Sequence, residues 1–180
     1  MAYGLQQILN ALQLGSLYAL IALGYTLVYG ILTLINFAHG DIFMVGAFLC
    51  LAAAAALGLP FLPALLLAMA GCALLGGAIE RLAYKPLRSA PRVSAVITAL
   101  GVGLVLEHLT LVFSPYPRHV PPLWPSAAWQ VGGVTLSSLQ ALIIAVSVLL
   151  MLLLDWLVRR TLLGLAMRAI SWDRTVAALM

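Results

Sequence analysis

The sequence predicts an all-α protein, a polytopic bundle of about five transmembrane helices, and three observations carry that prediction. Hydrophobic residues make up 64% of the 180 positions and charged residues only 8%, against roughly 25% charged in an ordinary soluble domain. Mean hydropathy is +1.14, and nearly unbroken apolar stretches of about 20 residues recur, each long enough to cross a hydrocarbon layer of roughly 30 Å as helix. The basic residues gather in short segments between those stretches, which is the pattern that orients a membrane protein. A water-soluble globular protein is excluded. The net charge of +4, from 9 Lys and Arg against 5 Asp and Glu, therefore reflects orientation and gives no sign of nucleic-acid binding.

The first apolar tract, about Leu5 to Leu34, exceeds what one span needs and carries Gly15, Gly24 and Gly30, so it reads as a single tilted or broken helix. No basic segment precedes it and no small-residue cleavage site interrupts it, so a removable signal peptide is not expected. A second span runs from about Ile42 to Leu57 and stops at Gly58-Leu59-Pro60; a third covers about Leu62 to Ile79. Residues 80–92 come next, with four basic side chains, one acid and two prolines, and are expected to form a cytoplasmic loop. Span four is expected over about Val93 to Phe113. Residues 114–138 then hold five of the nine prolines, Trp124 and Trp129, and read as a periplasmic loop. Span five, about Leu139 to Leu157, ends in Asp155, Trp156, Arg159 and Arg160, so residues 158–180 should be cytoplasmic. Counting back places the N-terminus outside, provided the first tract crosses once.

Small residues recur every four positions, Gly46, Cys50, Ala54 and Gly58 in span two and Ala11, Gly15 and Ala19 in span one. Such ridges let neighbouring helices approach closely. Cys50 and Cys72 lie in apolar spans with no C-x-x-C and no nearby His, and read as packing residues, with neither a disulfide nor a metal site.

Asn36-Phe37-Ala38-His39-Gly40-Asp41 sets an amide, an imidazole and a carboxylate between two apolar spans. Polar groups at membrane depth need protein or water partners, so a discontinuous helix lining a solute pathway is one reading. A short cytoplasmic turn with Asp41 capping span two is the other. Glu107 and His108 in span four are candidates for the pathway or for snorkelling to the outer interface. No H-E-x-x-H, G-x-S-x-G or P-loop pattern occurs, so catalytic residues, a metal and ATP binding by this chain are not expected. In the tail, Gly164 to Ile170 is a run of helix formers, and Ser171 with Asp173 reads as the N-cap of a further helix. That helix-break-helix suits either docking to a partner or an interfacial helix anchored by Trp156 and Trp172.

Several stretches resemble one family. Gln13 to Gly30, then Ile35-Asn36-Phe37-Ala38-His39-Gly40-Asp41, is similar to the start of the permease subunits of branched-chain amino acid ABC transporters; Ile79 to Arg88 and Gly164-x-Ala166-x-Arg168-Ala169 to Asp173 fit the same family. The resemblance covers most of the chain, and Asn-Phe-Ala-His-Gly is its most specific element. It implies a multi-pass subunit of the bacterial inner membrane, not itself an enzyme and holding no cofactor. The implied partners are membrane lipid, a second related permease subunit, two cytoplasmic ATPases and a periplasmic substrate-binding protein. Leucine, isoleucine or valine is the implied substrate, with Asn36, Phe37, His39, Gly40, Asp41 and Glu107 as pathway candidates. Gly164, Ala166, Arg168, Ala169 and Asp173 are the implied ATPase-docking residues. The resemblance also implies that residues 1–180 form a single permease domain corresponding to the N-terminal portion of a longer one. A permease for urea, short amides or another amino acid, and a membrane assembly subunit with no solute pathway, remain as alternatives.

Overall fold

The computed structural model describes residues 2–32, 36–87, 90–120 and 127–172. Its elements in order are α1 (Ala2–Leu32), α2 (His39–Ala56), α3 (Phe61–Ile79), α4 (Arg92–Phe113), a hairpin of β1 (Ala128–Val131) and β2 (Val134–Ser137), α5 (Ser138–Arg160) and α6 (Leu162–Trp172). Among the described residues five helical stretches are long and apolar enough to cross a membrane. They fall where the hydropathy pattern places spans. Contacts divide the chain into two compact units, Met1–Thr33 with Pro125–Met180, and Leu34–Trp124.

In the first unit α1 is one helix of 31 residues. Its glycines do not break it, because a glycine in lipid has no water to bond its backbone if the helix opens. The side chain of Gln6 pairs with the backbone of Thr135, donating from Nε2 to the carbonyl at 3.0 Å and accepting the amide at 2.8 Å. Gln140 in turn donates to Asn10 at 3.2 Å. The start of α1 therefore lies beside the hairpin and the start of α5, and α1 and α5 run parallel. The N-terminal ends of α1 and α5 therefore lie on the same side. The hairpin sits in the segment read as a periplasmic loop. It turns on Gly132 and Gly133 at φ +60° and +79°, values that glycine reaches without strain. Ser137 then caps α5, accepting from the Gln140 amide while Gln140 reaches back to the Ser137 amide.

In the second unit α2 and α3 pack antiparallel. A Cβ on Gly46 would come within 2.8 Å of Cys72 Sγ, and one on Gly71 within 2.8 Å of Leu49 Cδ1. The small-residue ridge is thus only partly a contact face: Gly46 meets α3, but the buried residue further along is Ala53 in place of Ala54. Gly58 lies beyond the helix end at φ +63°, where it turns the chain out of α2. In α1 the expected ridge is not a contact face among the described residues. Ala11 and Gly15 are exposed, nothing lies within 4 Å of a Cβ at Gly15, and the buried position is Ser16, whose hydroxyl bonds the Leu12 carbonyl.

Residues 80–87, read as part of a loop, are helical. A π-helical turn over Glu80–Tyr84 and a 3₁₀ turn over Lys85–Leu87 continue α3. The charges mark the membrane face of this helix, and Pro86 ends it only after the 3₁₀ turn has dispensed with its amide. The buried face of α4 is Ala95, Ala99, Gly103 and Leu106; the first three are small residues at four-residue spacing that admit close neighbours.

Gly46→Leu should drive α2 from α3 and cost about 1–3 kcal/mol, measured by detergent-titrated unfolding, whereas Gly15→Leu should change stability by less than about 0.5 kcal/mol.

Candidate functional site

The stretch Asn36 to Asp41 enters α2 through an Asn-centred turn. The side-chain Oδ1 of Asn36 accepts the Ala38 amide at 3.1 Å and the Tyr84 hydroxyl at 2.7 Å, while the Asn36 carbonyl accepts the His39 amide at 3.1 Å. One residue thus satisfies two opening amides of a helix and ties them to the π-helical turn after α3. A π turn widens the helix by one residue and re-aims the residues after it, and here it carries Tyr84 to Asn36.

Ala38 is the N-cap of α2 and makes no side-chain cap bond. Asp41 is in the first turn but does not cap, which corrects the capping reading. Its carboxylate is turned onto α4, where a Cβ on Gly103 would collide with Oδ2 and come within 3.4 Å of Cγ and 3.8 Å of the Ala38 Cα. Glycine at 103 is what lets the start of α2 lie against α4. No hydrogen bond or ion pair holds the Asp41 carboxylate among the described residues. A carboxylate in the first turn is favoured by the helix dipole, which also makes that turn attractive to an anionic group.

Gly103 lies about 16 Å along α4 from Arg92, roughly half of a 30 Å hydrocarbon core. The start of α2 therefore lies beside the middle of α4, and through Tyr84 it is also tied to the basic segment that ends α3. Within a hydrocarbon layer irregular backbone is tolerated only where protein or a water-filled cavity covers it.

Of the predicted pathway residues, Asn36, Phe37, His39, Gly40 and Asp41 are held together at this junction. Ala38 is fully buried, while Phe37 is exposed. Glu107 stands one helical turn beyond Gly103 on α4, exposed, with no partner among the described residues. His108 is also exposed and its Nδ1 lies 2.8 Å from the Leu104 carbonyl. Tyr84 and Gly103 are the residues the sequence reading missed. Tyr84 stands in the predicted loop with no pattern to mark it, whereas Ala95-x₃-Ala99-x₃-Gly103 is a legible small-residue spacing.

The tail forms a tight corner in the first unit. Thr161, extended at φ −107° and ψ 159°, separates α5 from α6. Its hydroxyl donates to the Leu157 carbonyl at 2.6 Å and accepts the Gly164 amide at 3.1 Å. Gly164 is buried, and a Cβ there would run into the backbone carbonyls of Leu157 and Val158. Arg168 reaches back and donates to the Val158 carbonyl, a cation at the carbonyl end of a helix. Leu162, Leu163, Leu165, Ala166 and Trp172 are exposed; Ala169 is half-buried. The helix break thus falls at Thr161. Ser171 is no N-cap: it lies inside α6 and its hydroxyl bonds the Arg168 carbonyl at 2.8 Å, the local back-bonding that serine makes within a helix. Asp173 lies outside the described residues.

Five helices long and apolar enough to cross a membrane, with a polar helix start tied to the turns after α3 and packed on α4, define the class: a multi-pass helical membrane protein. The chain belongs to the family of branched-chain amino acid transport system permease components, whose pattern it matches over residues 7–180. It is 38% identical over 182 residues to the high-affinity branched-chain amino acid transport system permease protein BraD of Pseudomonas aeruginosa, covering 94% of this chain and 59% of that protein. It is 37% identical over 196 residues to the permease proteins LivH of Salmonella typhimurium and Escherichia coli, covering 99% of this chain and 62% of each relative. The chain thus spans about three fifths of the length of these relatives. No solved structure matches it.

Tyr84→Phe should leave insertion unchanged and free Asn36 Oδ1 of one bond worth about 1 kcal/mol. Hydrogen exchange at the Ala38 and His39 amides should then speed up about fivefold.

Proposed function

We propose that the chain is the membrane-spanning part of an ATP-driven importer of branched-chain amino acids in the bacterial inner membrane. It would work with a second related permease subunit, two cytoplasmic ATPases that hydrolyse the ATP, and a periplasmic substrate-binding protein. The observation that carries this reading is the family match over residues 7–180, together with relatives whose names specify branched-chain amino acids.

The geometry gives each part a task. The opening turn of α2 offers amide dipoles to the carboxylate of an amino acid, and Asp41 offers a counter-charge to its ammonium. Apolar neighbours on α4 then suit an aliphatic side chain. At the other end, α6 presents leucines and Trp172 to an ATPase. Its corner is fastened through backbone carbonyls of α5, so a force on α6 is passed to α5 as a rigid-body displacement and is not lost in a flexible joint. Alternating access then follows from ATP-driven closure of the ATPase pair.

In a strain stripped of its own uptake systems, the native protein with its partners should take up labelled leucine and not labelled urea. Urea uptake without leucine uptake overturns the substrate. Gly164→Ala should leave membrane insertion intact but lower both co-purification of the ATPase and leucine uptake at least tenfold, because a backbone carbonyl cannot make way for the methyl group. Arg168→Glu should weaken the same co-purification by removing the bond to the Val158 carbonyl. Unchanged co-purification in both variants contradicts the docking role of α6.

A further inference from the structure

Near the C-terminal ends of α2 and α4, the ends the charge distribution of the sequence assigns to the outer side, the second unit contains a groove of about 650 Å³. It runs along α2 from Val45 to Ala56 and is walled by Phe48, Ala52, Ala55, Leu109 and Phe113. That stretch of helix is about 16 Å long, half of a hydrocarbon core of roughly 30 Å and so the depth of one leaflet. Thr110 is the one polar side chain along the walls, and its hydroxyl is already committed to the Leu106 carbonyl at 2.8 Å. The mouth has a different character. Ser114, Arg118 and His119 line it, and Arg118 is oriented by an Nε bond to Ser114 Oγ at 2.9 Å. Its remaining donors have no partner among the described residues.

An apolar trough one leaflet deep, ending in a fixed guanidinium at the outer interface, matches one chemistry. A carboxylate is missing from the lining, so the ammonium of an amino-acid zwitterion would go unpaired there, and the trough does not suit the transported solute. A neutral apolar helix would leave the arginine without a use. We propose that the groove binds one anionic phospholipid of the outer leaflet, with an acyl chain lying along α2 and α4 and the phosphate on Arg118. The site uses residues distinct from the α2 start and from α6, and it stands whatever solute is carried.

The test is binding of spin-labelled phosphatidylglycerol and spin-labelled phosphatidylcholine to the purified native protein reconstituted in phosphatidylcholine vesicles. The labelled phosphatidylglycerol should be preferred, and Arg118→Ala should cut that preference about fivefold, the loss of one cation near an anionic headgroup. Ala55→Phe fills the trough without touching charge and should abolish the motionally restricted, phosphatidylglycerol-selective component. Inorganic phosphate in large excess should not displace the lipid, because the acyl chain supplies most of the attachment. Equal preference in the wild type and Arg118→Ala, an unchanged restricted component in Ala55→Phe, or displacement by inorganic phosphate alone overturns the proposal.

Discussion

The hydrogen bond from Tyr84 to Asn36 is the constraint on which the second unit depends. A helix start exposes opening amides that need partners, and within a membrane protein few are to be had from solvent. Asn36 answers that with one side-chain oxygen and one carbonyl, and Tyr84 ties the oxygen to the helical turns after α3. The π turn at Glu80–Tyr84, the glycine at 103 and the buried Ala38 all serve the same junction. Removing any of them leaves the start of α2 either unsatisfied or displaced from α4.

The α2–α4 contact and the α5–α6 corner rest on a common device, the exclusion of a Cβ. At Gly103 the space is taken by a carboxylate on another helix, and at Gly164 by carbonyls of the preceding one. In a lipid environment, where helix association gains little from apolar burial, close backbone approach is the main source of packing energy. The first contact seats the Asp41 carboxylate against α4, and the second closes the corner between α5 and α6. The same absence of a side chain therefore brings two helices together in one unit and sets a tight helix corner in the other.

The membrane class and the five spans were legible in the sequence because hydropathy answers to bulk solvation. The polar string Asn36 to Asp41 was legible as a place where backbone and lipid conflict. Its resolution was not, since Tyr84 comes from 48 residues away and nothing in its own neighbourhood marks it. Asp41 reads as a cap by position, and only its contact with α4 shows that tertiary packing outweighs local capping. The helix break in the tail was misplaced for a related reason. Ser171 has the chemistry of a cap, but Thr161 and Gly164 act together across the corner, and a glycine's role there depends on a carbonyl that sequence does not locate. The hairpin was missed although Gly132-Gly133 between alternating strands is a strong local signal; the prolines and tryptophans around it drew the reading toward a loop.

The central claim is that the start of α2 lines a water-filled solute pathway. The direct test replaces Cys50 and Cys72 by alanine, introduces His39→Cys, and measures reaction with a membrane-impermeant thiol reagent in right-side-out and inverted vesicles. The account predicts labelling that branched-chain amino acids slow and that shifts from one vesicle orientation to the other when the ATPases are locked with a non-hydrolysable nucleotide. A thiol at position 39 inert from both sides in both states would contradict it, and the junction would then be a buried structural joint and no part of the pathway.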